Sequence, residues 1–367
     1  MKRKLIALLA LVALALTACG GGEVPAEPSP EQTPVVTDAP EITPEVTPEP
    51  EPSVEPEYDG PVNPLTGLPI AEDAVNDRPV AIMLNNLKKA LPQLGNSQAD
   101  IIYEVLTEGG ITRMLGVYQS VEGVGEIGSV RSSRPYYLEL ALGHDAIYLH
   151  AGGSEDAYSK IKEWGVTALD CVRGPYEGTL FWRDKERISS KGLEHSVLTS
   201  GEKILELFPK YRFRKEHNED YSYQMQFAKD GTPAEGESAQ VIQVPFSNYK
   251  TGVFTYDAEK GKYLVEEFGA AYIDGNTGEQ VAVTNVLVIQ TACKAIKGDE
   301  AGRITVDLTG EGDGWFACGG KIIPIRWSKE SRNHQLVYTT QSGELLTLGA
   351  GNSYVNIIPN GKDISIG

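Results

Sequence analysis

Apolar residues are distributed along this chain in three regimes. Leu5 to Leu16 is one short, unbroken apolar run. Residues 62–210 alternate continuous apolar runs with stretches in which apolar residues return every three or four positions. Beyond about residue 235 they come in short runs separated by turn residues. The middle regime predicts strands and helices in turn. Pro79 to Leu84 reads as a strand buried on both faces. Ser97 reads as the cap of a helix that carries Glu104 in its middle, with Asp100 at its third position as a weaker capping box. Ile111 to Gln119 reads as the next strand. Pro135 suits a first helical position, so Tyr136 to Leu142 is a short apolar helix ended by Gly143. Ala146 to Leu149 is a buried strand that leads through His150 and the Gly152-Gly153 turn to a helix capped by Ser154. This order predicts an α/β or α+β domain with helices packed on a sheet. The last regime, with runs such as VIQVPF, VLVIQT, RITVDL and YVNIIP, predicts a mostly-β domain, a sandwich or a barrel. Polar residues rich in Gly, Pro and Glu between Lys229 and Ser238 place the boundary near 235.

The N-terminus is not fold. Lys2, Arg3 and Lys4 precede the apolar run, which is too short to span a bilayer permanently. It ends in Leu16-Thr17-Ala18-Cys19-Gly20, which resembles a bacterial lipobox. That resemblance implies lipidation of Cys19 and anchoring on a membrane. Residues 20–61 contain eleven acidic residues, no Lys or Arg, and repeated Thr-Pro and Glu-Pro steps. They cannot bury enough apolar surface to offset chain entropy. At about 3.1 Å per residue, such a stalk reaches on the order of 100 Å. The chain thus divides into a signal peptide (1–19), a disordered acidic stalk (20–61), an α/β domain (62–235) and a β-rich domain (236–367).

Charge narrows the partners. The chain carries −18. Setting aside the three cations of the leader and the eleven acids of the stalk leaves −10 on the body. An acidic body excludes nucleic-acid binding by bulk electrostatics. With Cys19 lipidated, Cys171, Cys293 and Cys318 remain, which allows at most one disulfide; Cys293–Cys318 is the more local pairing. No spacing supports a structural metal site and no motif calls for a cofactor.

The chemistry-bearing residues cluster in short blocks: Asn63-Pro64-Leu65-Thr66-Gly67, Arg78-Pro79-Val80-Ala81, Asn85-Asn86, Ser97-Gln98-Ala99-Asp100, Glu108 to Arg113, Val130 to Pro135, His150 to Ser154 and Phe181 to Asp184. In this order the blocks resemble the YerB-type bacterial lipoproteins, which join a DUF3048 domain to its own C-terminal β domain. The resemblance covers about residues 60–360 and implies a location and a domain plan but no reaction. One block departs from the family, whose members tend to carry Pro-His-Asn where this chain reads Glu194-His195-Ser196.

Asn85, Asn86, Arg113, Arg131, Arg134, His150, Ser154 and Arg183 are the ligand-binding candidates. Arginine forks bind phosphate or carboxylate in two-pronged fashion, and a capped helix start aims free N–H groups at an anion. His150, His195, Glu104 and Asp184 are the candidates for acid–base work. Two functions remain open. One is a membrane-anchored lipoprotein binding an anionic envelope ligand (cell-wall glycan, teichoic acid) or a protein partner. The other is an envelope hydrolase or transferase acting on a phosphodiester or carboxylate. Arg113, Arg131, Arg134 and His150 converge beside Ser154 only if the strand of Arg113 runs antiparallel to that of His150, with Glu104, Glu108 or Asp184 close by to offset the charge. Trp315, Phe316, Trp327 and Tyr354 read as core more readily than as a sugar platform.

Overall fold

The computed structural model describes residues 58–367. The leader, Cys19 and all but the end of the stalk lie outside the described residues. The fold mixes α and β with large sheets. The elements that position the site are β1 (Val80–Asn86), β2 (Ile101–Leu106), β3 (Thr112–Tyr118), β4 (Glu126–Gly128), α1 (Pro135–Gly143), β5 (Ile147–His150), α2 (Glu155–Trp164), β6 (Ala168–Asp170), β7 (Trp182–Arg183), α3 (Lys185–Lys191) and β8 (Val197–Ser200).

β1 has β3 antiparallel on one side and β5 parallel on the other, and β6 runs parallel to β5. β3 is therefore antiparallel to β5. Arg113, at the start of β3, pairs with Asn85 near the end of β1, and so comes to the sheet edge where β5 delivers His150. β4, β8 and β7 form a small separate sheet.

The helix expected from Ser97 through Glu104 is a strand. Asn96–Gln98 is a single 3-10 turn, and β2 begins at Ile101. Oγ of Ser97 donates to Asp274 at 2.7 Å instead of capping a helix. Asp100 accepts from the Gln119 amide and the Asn63 side chain. Ile101 and Ile102 prefer a pleated surface, and β2 is buried between β3 and a second neighbour that local sequence does not reveal.

One of those neighbours comes from the far end of the chain. Ser353–Pro359 lies between β2 and Asn285–Thr291 and runs parallel to both. Gly310–Cys318 and Lys321–Lys329 continue the same eleven-stranded sheet. Strands beyond residue 236 therefore do not close on themselves as an independent sandwich or barrel. A second sheet, built on Val241–Pro245, Thr251–Asp257 and Lys262–Glu267, supplies Ile242, Val244, Phe254 and Val265 to one apolar cluster together with Ile82 and Leu84 of β1. The alternate residues Ala81 and Met83 join the cluster of Tyr136, Leu140 and Ala157 from α1 and α2. The two-residue period of a strand thus gives the central sheet helices on one face and a second sheet on the other. Phe316, Trp327 and Tyr354 are buried in these clusters and Trp315 packs against one. Cys171, Cys293 and Cys318 are free thiols, so the Cys293–Cys318 pairing does not form.

Candidate functional site

The Arg131-Ser132-Ser133-Arg134 turn lies alongside the turn that follows β5. Ser133 bridges to Gly153, and Oγ of Ser132 donates to the carbonyl of Ala151 at 3.1 Å. Gly152 adopts φ +78, a left-handed conformation that other L residues rarely take, so glycine allows the chain to turn here. Ser154 caps α2 as expected, accepting from the Ala157 amide. However, Glu155 and Asp156 fill the first turn of α2 and already offset the positive end of the helix.

The three arginines are neighbours that face different surroundings. Arg113 and Arg134 share one carboxylate. Arg113 donates to Glu108 Oε1 at 2.7 Å and to the carbonyl of Ser132 at 2.9 Å. Arg134 grips both Glu108 oxygens and donates to the carbonyl of Ser133 at 2.7 Å. Burial pushes the Glu108 carboxyl up, but the two guanidinium groups outweigh it and hold the pKa below its ordinary value. Burial, reinforced by the nearby arginines, lowers Arg113 to about 10. Of the three acids expected beside these arginines, Glu108 is the one that lies there. Glu104 and Asp184 are elsewhere.

Arg131 points another way. With Lys89, Arg173, Arg183 and Lys191 it lines an open cleft of about 610 Å³, floored by Ser132, Gly152 and Gly153 and walled by Tyr158 and Val172. Arg131 reaches the carbonyl of Glu194 at 3.0 Å and its carboxylate at 3.3 Å, while its Nε is buried without a partner. Arg183 pairs with Glu177 at 3.0 Å and donates to the carbonyl of Leu193. Arg173 lies 3.7 Å over the ring of Tyr158 and pairs with Glu155. Arg134 and Ser154 line a different cavity with Trp164 and Arg303. The expected convergence of Arg113, Arg131, Arg134 and His150 beside Ser154 thus divides, with Arg131 on the cleft and Arg113, Arg134, His150 and Ser154 off it; Arg183 joins Arg131 there.

Neither histidine lines the cleft. His150 is 0% exposed. Its Nδ1 donates to the carbonyl of Gly152 at 2.8 Å, with Asp170 at 3.6 Å. Burial is the larger influence and lowers its pKa despite Asp170, which keeps the ring neutral. Asp170 also accepts from the amides of Gly152, Val172 and Arg173, so this pair braces the cleft floor. His195 Nδ1 accepts from Asn85 Nδ2 at 2.8 Å, which directs its Nε2–H toward Glu194, 3.3 Å away. Burial lowers its pKa as well. Asp184 caps α3 by accepting from the Arg187 amide. Among the described residues, no group of His, Cys, Asp and Glu is arranged to hold a metal ion. His150, His195 and Asp184 serve three separate structural tasks.

Glu104 and Asn86 belong to a second assembly, sealed on the opposite face of β1. Glu104 accepts from Thr112 at 2.6 Å, Tyr354 at 2.6 Å and Asn86 at 2.8 Å. Lys250 and Glu267 complete it, with Lys250 Nζ 3.0 Å from Glu104 and 2.5 Å from Glu267. Sequence reasoning missed Lys250, Glu267 and the cleft residues Lys89, Tyr158, Arg173, Lys191 and Glu194. For Glu194 a signal existed, because it stands where the YerB-type pattern departs.

These features sit in a chain with clear relatives. Residues 65–214 match the DUF3048 N-terminal domain and residues 242–355 the DUF3048 C-terminal domain, both described as of unknown function. The chain is 32% identical over 302 residues to YerB of Bacillus subtilis (strain 168), whose name designates it a lipoprotein; the match spans 81% of this chain and 86% of YerB. The crystal structure of the YerB protein from Bacillus subtilis superposes with a TM-score of 0.71 at 29% identity, covering 83% of this chain and 99% of that one. No helix among the described residues is long and apolar enough to cross a membrane.

Proposed function

The chain belongs to the DUF3048 family of YerB-like proteins, and on that premise we propose that it is a lipoprotein anchored through Cys19 at the extracytoplasmic face, holding an anionic cell-envelope ligand in the Arg131 cleft. The observation that carries the reading is the gathering of Lys89, Arg131, Arg173, Arg183 and Lys191 around one open cavity in a body whose net charge is negative. Glu194, Glu177 and Glu155 pair with three of these five cations and leave a local positive excess, and such a field in an acidic body steers anions to that place. Arg131 offers a planar fork, and Lys89 and Lys191 add point charges, that of Lys191 steadied by the carbonyl of Leu91 at 2.6 Å. A ligand oxygen competing with the exposed Glu194 carboxylate would take Arg131 over without disturbing the fold. Binding fits better than catalysis, because His150 and His195 are buried behind the cleft lining rather than exposed in it and are engaged in holding Gly152 and Asn85.

The test is calorimetric titration of residues 62–367 with a teichoic acid fragment and, separately, with a muropeptide. Saturable binding to one that weakens with added salt and is lost in Arg131→Ala supports the reading. Absence of binding to both, or binding unchanged in the variant, removes it. Detergent-phase partitioning of Cys19→Ala tests the anchor, since only the thiol can form the thioether.

A further inference from the structure

The sealed assembly behind β1 has a composition that suits covalent chemistry. Lys250 lies in the hairpin between Val241–Pro245 and Thr251–Asp257, and Asn86 ends β1. The side chains of Lys250, Asn86, Glu104 and Glu267 are all essentially inaccessible to solvent. The amine and the amide meet the same two acids. Lys250 Nζ is 3.0 Å and Asn86 Nδ2 2.8 Å from Oε1 of Glu104. Lys250 Nζ is 2.5 Å and Asn86 Nδ2 3.5 Å from Oε2 of Glu267. The Lys250 contacts meet the distance of an ion pair but not the alignment of a directed hydrogen bond. Oδ1 of Asn86 and Oε1 of Glu267 are buried without partners. Phe246 and Phe268 place their rings 5.4 and 5.7 Å from Nζ, and Tyr354 and Tyr272 seal the other side.

We propose that Lys250 and Asn86 form an intramolecular isopeptide bond, with Glu267 and Glu104 moving the protons. The Lys250 ammonium gives one proton to the Glu267 carboxylate, and the freed lone pair of Nζ attacks Cγ of Asn86. A second Nζ proton passes by way of the carboxylates to Nδ2. The Cγ–Nδ2 bond breaks and ammonia leaves, taking up the proton held on Glu267 as ammonium. One C–N bond replaces another, nothing is oxidised or reduced, and no co-reactant is consumed.

Three features favour the step. Holding the amine and the amide against the same two carboxylates confines the reacting groups to one small pocket, and for well-oriented pairs such confinement equals an effective concentration of about 10⁵ M or more. Burial favours the neutral amine and neutral acid over their charged forms, and it raises the Glu267 carboxyl to about 8, helped by Glu104. Protonated Glu267 also supplies a donor to a cluster holding two unpaired oxygens. Against this, the two carboxylates outweigh the burial of Lys250 and raise its pKa, so the neutral amine is the minor form. A reaction that occurs once in the life of each molecule tolerates a small reactive fraction. The product would tie the segment matching the N-terminal domain to the one matching the C-terminal domain by a bond independent of solvent conditions.

Mass spectrometry of the full chain tests the proposal. The wild type is expected to be lighter than its sequence and processed N-terminus require by the mass of one ammonia. Trypsin should release Asn86 and Lys250 together in one branched peptide. Lys250→Arg, which keeps the charge but cannot form this bond, should show the uncorrected mass. Wild-type protein in which Asn86 and Lys250 occur only in separate unmodified peptides overturns the proposal, whether or not the variant folds. A branched peptide formed with loss of water at Glu104 or Glu267 overturns the assignment to Asn86.

Discussion

Asn85 and Asn86 are consecutive, yet they serve two unlike collections of charge. Asn85 turns toward His195 and thus to the wall of the open cleft. Asn86 turns the other way, into the sealed assembly of Glu104, Lys250 and Glu267. In the cleft, cations outnumber acids and water reaches them. In the sealed assembly, one cation faces two acids and water does not. The first arrangement is inexpensive to alter and poised to exchange partners. The second is intolerant of change, because removing Lys250 leaves two buried carboxylates without a cation, and removing any other member leaves buried polar groups without partners. An excess of charge at an open surface therefore points to a ligand, whereas the same residue types under cover point to internal construction.

The largest effect should come from the sealed side. Lys250→Ala leaves Glu104 and Glu267 facing each other without a cation and should destabilise the protein by about 3–5 kcal/mol. Urea denaturation measures it, and a loss below about 1 kcal/mol would mean that the pocket admits water and the contrast fails.

Next comes the cleft. Arg131→Ala should weaken an anionic ligand by about 2 kcal/mol by removing the central charge-assisted contact. Its denaturation midpoint should move little. A variant that unfolds would assign Arg131 to the scaffold and erase the distinction between the two sites.

The third concerns pH. In the folded protein the Glu267 carboxyl is raised to about 8 from an ordinary 4.5, by burial first and then by Glu104. Between those values the folded state binds more protons than the unfolded state. The contribution is fully present below pH 4.5 and is lost as pH rises through 8. Thermal melts of wild type and Glu267→Gln across pH 5 to 9 should show a falling contribution in the former that is missing in the latter. The smallest effect is expected from Glu194→Ala. It frees Arg131 from an exposed carboxylate and should tighten anion binding by about 1 kcal/mol or less, visible by titration at low salt.

Legibility of the sequence followed the same division. β1, β3, α1, β5 and the Ser154 cap could be read because local pattern and turn chemistry determine them. The antiparallel relation of β3 and β5, on which the meeting of Arg113 with its neighbours depended, is borne out. Glu104 was misplaced because Ser97 and Asp100 imitate a helix start, while one of the two strands that hold β2 in the sheet lies more than two hundred positions away. Lys250 gave no sign, since a lysine in an Asn-Tyr-Lys-Thr-Gly turn reads as exposed. Five cations from separate segments, Arg183 on β7 and Lys191 on α3 among them, became one cleft only through tertiary contact.

Ser353–Pro359 occupies the middle of the central sheet, although it lies among the last residues of the chain. A growing polypeptide cannot complete that sheet before this strand arrives. Until then β2 and Asn285–Thr291 present unpaired edges of the kind that adhere to other chains. Folding must therefore wait on contacts of very long sequence separation, which places the chain among slow folders. A stop codon before Ser353 would yield not a shorter protein with one domain intact, but a product whose two halves lack the strand that joins them.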